Sequence, residues 1–290
     1  MLDFSDWEIA KEFSSASGAS QKEWLINPEK SQVGLFKFPK SSETFEHFSE
    51  KIASELAQII GIECAKIDVG KYHGRLGSIS YLINDKSKDS LIEGVTLIAV
   101  NRANYNPYKL KDMDLCEYYN LDMILESIRP YNLETVFLKI LIFDYIIGNS
   151  DRHHSNWAVL DSGKLIKMCP IYDNGSSLCC YIKEDDIKSK RNDIQWFDSI
   201  LVSKSKSIVR LYKNKKSKPT HKEIMEYLKS NYYKETIQFV KNIKEKLGEN
   251  VISDLIERCS YGILTEERKS LLKRYLVKKV EDLVCIYDSI

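Results

Sequence analysis

The apolar pattern changes period along this chain. Residues 23–26 and 33–38 are short apolar-rich runs separated by Asn27-Pro28-Glu29-Lys30, a turn signal, and they predict a hairpin. Helical spacing takes over at Phe45, Phe48, Ile52, Leu56 and Ile59, behind a capping region at Ser41-Ser42-Glu43-Thr44 and ahead of Gly61, which stops the helix. Two more strands are expected over residues 62–69 and 76–83, with residues 70–74 as the turn between them. In the second half an apolar helix over residues 133–147 ends at Gly148, and amphipathic helix runs from about residue 221 onward. Residues 157–160 and 165–169, joined by Asp161-Ser162-Gly163-Lys164, predict a second hairpin. The fold class is α+β, mixed in the first third and mainly helical after it.

The second hairpin is flanked by the chemistry. Gly148-Asn149-Ser150-Asp151-Arg152-His153-His154-Ser155-Asn156 leads into it, and Ile171-Tyr172-Asp173-Asn174-Gly175 follows it. A hairpin of this length brings its two ends together, so Asp151, Asn156 and Asp173 are expected to converge. Phosphoryl transfer uses such a set: a carboxylate that orients the attacking hydroxyl, and an amide and a second carboxylate that hold magnesium on nucleotide phosphates. The Asp-x-x-x-x-Asn spacing is that of a protein-kinase catalytic loop, although the local order here is Asp-Arg-His rather than His-Arg-Asp. A cation for the phosphates is available in Lys37, set among apolar neighbours in a strand, and the following helix offers Glu50 and Glu55 as partners. Helical periodicity does not choose between those two. The loop Ser14-Ser15-Ala16-Ser17-Gly18-Ala19-Ser20-Gln21-Lys22, one strand before Lys37, is small enough for backbone N–H groups to approach phosphates.

Composition narrows the alternatives. The 290 residues are enough for a large core, and 43% hydrophobic content makes the chain globular. A formal net charge of +1 gives no reason to expect direct binding to nucleic acid or to an anionic membrane. The most apolar run, residues 136–147, is too short to span a bilayer and carries Lys139 and Asp144. Seven cysteines without C-x-x-C spacing, and a start with no basic and apolar leader, point to a cytoplasmic setting. Export as an effector without a signal peptide is left open. Lys213-Asn214-Lys215-Lys216-Ser217-Lys218 is a basic run, read as a solvated loop with a docking patch for an acidic partner as the minor alternative.

Phe36-Lys37-Phe38-Pro39, Phe48-Ser49-Glu50, the segment from Ile147 to Trp157 and Pro170-Ile171-Tyr172-Asp173-Asn174-Gly175-Ser176 together resemble the HipA-like serine/threonine kinases, bacterial toxin-type enzymes. They resemble most closely a short, stand-alone subgroup, over roughly residues 12–180. The resemblance implies a two-lobed protein-kinase-like fold with a small mixed lobe (1–97) and a larger helical lobe (98–290), the nucleotide lying between them against residues 81–98. It implies ATP and Mg2+ as cofactors and a protein substrate with a Ser or Thr acceptor. Asp151 would be the catalytic aspartate and His153 would shape its loop. Asn156 and Asp173 would hold the metal, and Lys37 would contact phosphates with Glu50 favoured over Glu55 as its partner. Ser17, Gly18, Ala19, Ser20, Gln21 and Lys22 would form the phosphate loop, with His153, His154, Ser155 and Tyr172 also around the nucleotide. Ser14, Ser15 or Ser17 would be an autophosphorylation site.

Two departures qualify the resemblance: the loop at 14–22 is richer in serine and poorer in glycine than a protein-kinase loop, and the start of the chain is short. The loop begins near residue 14, so the extra N-terminal subdomain of full-length HipA proteins is expected to be absent or separately encoded, which puts antitoxin docking in question. The Asp-Arg-His-x-x-Asn order also occurs in phosphatidylinositol kinases, so a lipid or small-molecule acceptor is the rival within the enzyme class. A nucleotide-binding pseudokinase is the rival outside it; that reading predicts loss of Lys37, Asp151, Asn156 or Asp173, and all four are present.

Overall fold

The computed structural model describes residues 1–13, 21–85 and 87–289. Its first part is a six-stranded sheet in the order β1-β5-β6-β4-β3-β2. The strands are β1 (Leu2–Asp3), β2 (Glu8–Ile9), β3 (Lys22–Ile26), β4 (Val33–Lys37), β5 (Ile67–Tyr72) and β6 (Arg75–Tyr81), with helix α1 (Glu46–Ile60) between β4 and β5. All neighbours are antiparallel except β1 with β5. Phe36 packs on one face with Phe4, Leu25, Phe38, Ile79 and Tyr81. The two-residue period of a strand therefore turns Lys37 to the other face, where α1 lies. The register sets Lys37 opposite both Lys22 and Ser78.

Helix α1 buries the expected Phe48, Ile52 and Leu56, together with Ala53, Ala57 and Ile60, in the main core. Each fully buried aliphatic or aromatic side chain of this kind contributes about 1.5–3 kcal/mol. The stripe therefore fixes the rotation of α1, and with it the direction in which Glu50 points. Gly61, left-handed at φ 82°, ends the helix as expected.

The next two strands run differently from the expectation. The fifth strand is Ile67–Tyr72 rather than residues 62–69, and the turn is at His73 and Gly74, both with positive φ. Two glycines here serve packing. Gly70 and Gly77 face each other in the ladder, and a Cβ on them would lie 2.4 Å from the Phe4 ring and 2.6 Å from the Phe36 ring respectively. Residues 62–66 instead run beside the second hairpin: Ala65 donates to the Ile171 carbonyl at 2.8 Å and Ile171 donates to Glu63 at 2.9 Å.

The second part is built on buried helix. Strand β7 (Ser90–Glu93) leads into α2 (Gly94–Asn101), so position 97, expected to close the first lobe, lies inside a helix. A short ribbon of β8 (Tyr105–Asn106) and β9 (Lys111–Asp112) precedes α3 (Leu121–Ile128) and α4 (Glu134–Ile147). The second hairpin appears as β10 (Ala158–Asp161) and β11 (Ile166–Met168), with β7 as an unexpected third strand paired to β10. Helix α5 (Glu184–Lys190) and a π-helical turn (Trp196–Val202) lead to α6 (His221–Lys246), α7 (Glu249–Ser260) and α8 (Glu266–Asp288). Helix α4 is buried along most of its length, with α6 and α8 against it. Among the described residues no helix is long and apolar enough to cross a membrane. The seven cysteines are free thiols, and Cys179 and Cys180 are not joined.

Gly148 ends α4 at φ 66°, and a Cβ there would sit 2.1 Å from the Tyr275 hydroxyl. Gly163 has φ 75° but open space around it. Gly163→Ala is expected to cost about 1–2 kcal/mol of backbone strain alone. Gly148→Ala should cost about 1–3 kcal/mol more, from overpacking. Thermal unfolding of both variants checks this; equal losses would contradict the packing argument.

Candidate active site

The site is organised from beneath by a buried ion pair. Asp144, in the last turn of α4, is 1% exposed and Arg152 is 0% exposed. The guanidinium meets the carboxylate through two bonds, Nε to Oδ2 at 3.0 Å and Nη2 to Oδ1 at 2.7 Å. A buried charge is tolerated only when it is paired and its remaining donors are satisfied. Here Nη1 donates to the carbonyls of Asn156 at 2.9 Å and Tyr172 at 3.0 Å, and Nη2 to Asn174 Oδ1 at 2.6 Å. One side chain thus ties the end of α4, the Asn149–Asn156 loop and the 172–174 segment together. Asn149 adds to the knot: its amide donates to Asp144 Oδ1 at 3.0 Å while its Oδ1 accepts the Asp151 N–H at 3.0 Å.

These bonds place the expected oxygens. Asn156 Nδ2 donates to the Asp151 carbonyl at 2.7 Å, which leaves Oδ1 as the acceptor face of that amide. Asp173 has a left-handed φ of 56°, unusual for a residue other than glycine, and is held there by Arg152 contacts to the residues on both sides. From the sheet, Lys37 Nζ donates to Glu50 Oε1 at 2.6 Å and to Asp173 Oδ1 at 2.9 Å. Ser78, its cross-strand neighbour, donates to the other Glu50 oxygen at 3.0 Å. The choice that periodicity left open is resolved, since Glu55 instead pairs with Lys51 at 2.8 Å and Arg258 at 3.3 Å. Lys22 lies close enough to act electrostatically on Lys37 and Asp173.

The two aspartates are driven apart in acidity. The Lys37 charge holds the Asp173 carboxyl down at about 2. Burial raises the Asp151 carboxyl above the ordinary carboxylate value, and the neighbouring Asp173 charge adds to the rise against the pull of His153. One carboxyl is made more acidic beside a cation and the other less acidic by burial.

The other expected residues divide. His153 Nδ1 accepts the Ser155 N–H at 3.1 Å, so its ring braces the loop. Tyr172 donates to the Ser155 carbonyl at 3.0 Å and packs beside Ile83, Ala158, Leu160 and Cys169. Gln21 accepts the Phe38 N–H at 3.1 Å, extending the β3–β4 pairing. His154, expected around the nucleotide, instead turns into the interior: it is 7% exposed, with Nδ1 2.8 Å from the Tyr105 hydroxyl. Ser14, Ser15, Ser17, Gly18, Ala19 and Ser20 lie outside the described residues.

Three positioning residues were not foreseen in these roles. Asp144 stood out only as a charge inside an apolar run, and that exception was its signal. Arg152 was read as part of the loop motif, not as its anchor. His221, at the start of α6, is 1% exposed; its Nε2 is 2.9 Å from the Asn149 carbonyl and its Nδ1 2.7 Å from Ser205 Oγ. Nothing local in the sequence marks it.

Burial pushes His221 down to about 3 and His154 and His47 down to about 4, from an ordinary 6.5. Each imidazole is neutral when folded and free to protonate when unfolded. The unfolded chain therefore binds more protons at these sites below pH 6.5, and the stability these three histidines contribute should be lost as pH drops from about 6.5 to 3. Melting temperatures across pH should show this, with a shallower slope in His154→Gln; an unchanged slope in that variant would contradict neutral burial.

The comparisons extend this geometry to known proteins. The chain is similar to the serine/threonine-protein kinase CtkA of Helicobacter pylori (strain J99), at 22% identity over 98% of this chain and 86% of that protein. It superimposes on a crystal structure of the Helicobacter pylori proinflammatory kinase CtkA with a TM-score of 0.81, at 19% identity, covering 99% of this chain and 96% of that one. HipA in the Shewanella oneidensis complex of HipA, HipB and operator DNA matches with a TM-score of 0.58 at 13% identity, over 95% of this chain and 67% of that one. The fold is thus shared beyond the 12–180 stretch that carries the sequence resemblance. With a family-model match spanning residues 14–235 as well, the chain belongs to the HipA-like C-terminal domain family.

Proposed function

We propose that this chain is an ATP- and magnesium-dependent serine/threonine protein kinase of the HipA-like type. The observation that carries the reading is the convergence of Asp151, Asn156 and Asp173 on one Arg152-centred knot, with the Lys37–Glu50 pair reaching Asp173 from the sheet. The oxygen donors fit magnesium, which typically takes one or two protein carboxylates and completes its shell from phosphates and water. Asn156 Oδ1 and Asp173 would hold it; bound there, it would neutralise charge on the transferring phosphate.

The roles follow from the contacts. Lys37, oriented by Glu50, donates to nucleotide phosphates, and Lys22 adds a second cation nearby. Asp151 orients the acceptor hydroxyl and takes its proton as the hydroxyl oxygen bonds to the γ-phosphorus and the β–γ bridge bond breaks; the products are a phosphoester and ADP. Ile83 and Tyr172, packed over the buried cluster of Ala158, Leu160 and Cys169, would back the base. The six-stranded sheet with α1 and the part from β7 onward act as the two lobes around this cleft.

The acceptor is a Ser or Thr hydroxyl on a protein, a reading supported by the likeness to a relative named as a serine/threonine-protein kinase. Autophosphorylation at Ser14, Ser15 or Ser17 would place about −1.5 to −2 charge near the phosphate site and oppose nucleotide binding. A toxin or effector role, with a protein partner such as an antitoxin, is in keeping with the likeness to a HipA that is complexed with HipB. The Asp-Arg-His order favours one second reading, a lipid or small-molecule acceptor.

Substitutions separate chemistry from binding. Asp151→Asn should keep nucleotide affinity and lower turnover by about 10²–10⁴-fold. Asp173→Ala should abolish magnesium-dependent nucleotide binding measured by calorimetry. Unchanged turnover in Asp151→Asn would overturn the role assignment; phosphate appearing only on lipid or small-molecule acceptors would favour the second reading.

A further inference from the structure

The basic run at 213–218 is built into the molecule. Tyr118 N–H donates to the Lys213 carbonyl at 2.8 Å, Arg210 Nε donates to the Lys216 carbonyl at 3.1 Å, and Ser207 N–H donates to the Pro219 carbonyl at 3.0 Å. Its exit is His221, whose ring is bound to Asn149, two residues before Asp151. The backbone is therefore pinned; Lys213 faces Glu117 at 3.7 Å and Lys215 lies over the Tyr212 ring at 4.5 Å. Lys215, Lys216 and Lys218 are exposed, and among the described residues none of the three has an ion-pair partner. Of the nearby carboxylates, Glu223 accepts the Thr220 N–H at 2.7 Å as a helix cap and also feels the Lys215 charge, and Glu226 faces Lys222 at 3.9 Å.

This positive surface is local. The chain as a whole carries a net charge of only +1, so the cluster is not a by-product of a basic protein. It borders an open groove of about 340 Å³ whose lining includes Arg210, Lys215 and Lys218 together with Glu223, Glu226 and Tyr227. Lys218 lies three residues before His221, whose ring binds the Asn149 carbonyl two residues before Asp151, and Lys40, just after β4, bonds the Tyr181 hydroxyl, which meets Ser176, whose carbonyl accepts the Ser150 N–H beside Asp151. Lys40 is exposed and steadied by the Tyr181 hydroxyl at 2.9 Å. Asp151 thus lies within reach of lysines from both the sheet side and the helical side. The run itself, Lys-Asn-Lys-Lys-Ser-Lys, offers no apolar side chain to enter a bilayer, which favours a protein segment over a membrane surface.

We propose that segment 213–218, together with Lys40, is the acceptor-side subsite of this chain and selects protein segments whose Ser or Thr is flanked by Asp or Glu. The phosphorylation of such a segment rests on the kinase reading; its binding does not. Charge complementarity of this exposed kind acts through encounter and register, and weakens with salt.

The test is fluorescence anisotropy with two short labelled peptides, each with a central serine, one flanked by Asp and Glu and the other by Lys and Arg, without nucleotide. Wild type should bind the acidic peptide about tenfold more tightly than the basic one, less so in high salt. The preference should vanish or invert in the triple variant Lys215→Glu, Lys216→Glu, Lys218→Glu. Single neutral variants Lys218→Gln and Lys40→Gln, with unchanged melting temperature, should each weaken it severalfold. Equal binding of the two peptides, or a preference that survives charge reversal, would overturn the proposal. So would binding to phosphatidylcholine vesicles carrying a phosphatidylinositol phosphate in place of the acidic peptide. If the acidic peptide binds as expected but neither peptide nor the chain itself gains phosphate from Mg–ATP, the subsite stands and the kinase reading fails.

Discussion

The buried contact between Asp144 and Arg152 is the constraint on which the candidate site depends. A guanidinium with no solvent exposure is stable only if its charge and its donors are all answered, and here they are answered by groups from three separate segments. The requirement runs in both directions. The interior needs those segments in place to bury Arg152, and the segments are fixed because Arg152 is buried. Removing one partner of such a pair costs about 3–5 kcal/mol, more than an exposed ion pair of the same charges is worth.

From that anchor the chemistry is carried outward by short steps. Asn149 passes the position of Asp144 to the Asp151 backbone, Asn156 is tied to the Asp151 carbonyl, and Asp173 is gripped from both neighbouring residues. Across the cleft the rotation of α1, fixed by its apolar stripe, aims Glu50 at Lys37. The Lys37 contact to Asp173 joins the two halves at the site, and it is also what keeps that carboxylate strongly acidic while Asp151 is pushed the other way. Rigid packing beneath and charge contrast above are consequences of one arrangement.

Much of this was legible in the chain. The hairpin through Lys37, the helix carrying Glu50, the apolar helix stopped at Gly148 and the hairpin between Asn156 and Asp173 are all local patterns, and local patterns survive in a sequence. The parts that were not legible depend on distant partners. Strand β7 exists because β10 is there to pair with it, and residues 62–66 run along the Ile171 segment instead of forming a strand of their own. Gly70 read as part of a turn and Gly77 as one strand residue among others, but their use is to admit the Phe4 and Phe36 rings. His154 shares a motif with Asp151 yet faces Tyr105, because adjacent loop residues need not point the same way. His221 braces Asn149 from 72 positions away, a separation no spacing rule covers.

The central claim is that one cleft holds a metal–nucleotide through Asn156, Asp173 and Lys37 and sets Asp151 beside the phosphate to be transferred. A crystal structure with manganese and a non-hydrolysable ATP analogue tests it most directly, since manganese is located by its own anomalous signal. The account predicts a metal peak bound by Asn156 Oδ1 and Asp173, with Lys37 on a phosphate oxygen and the Asp151 carboxylate facing the terminal phosphate. Nucleotide bound elsewhere, or a metal that avoids both Asn156 and Asp173, would contradict it.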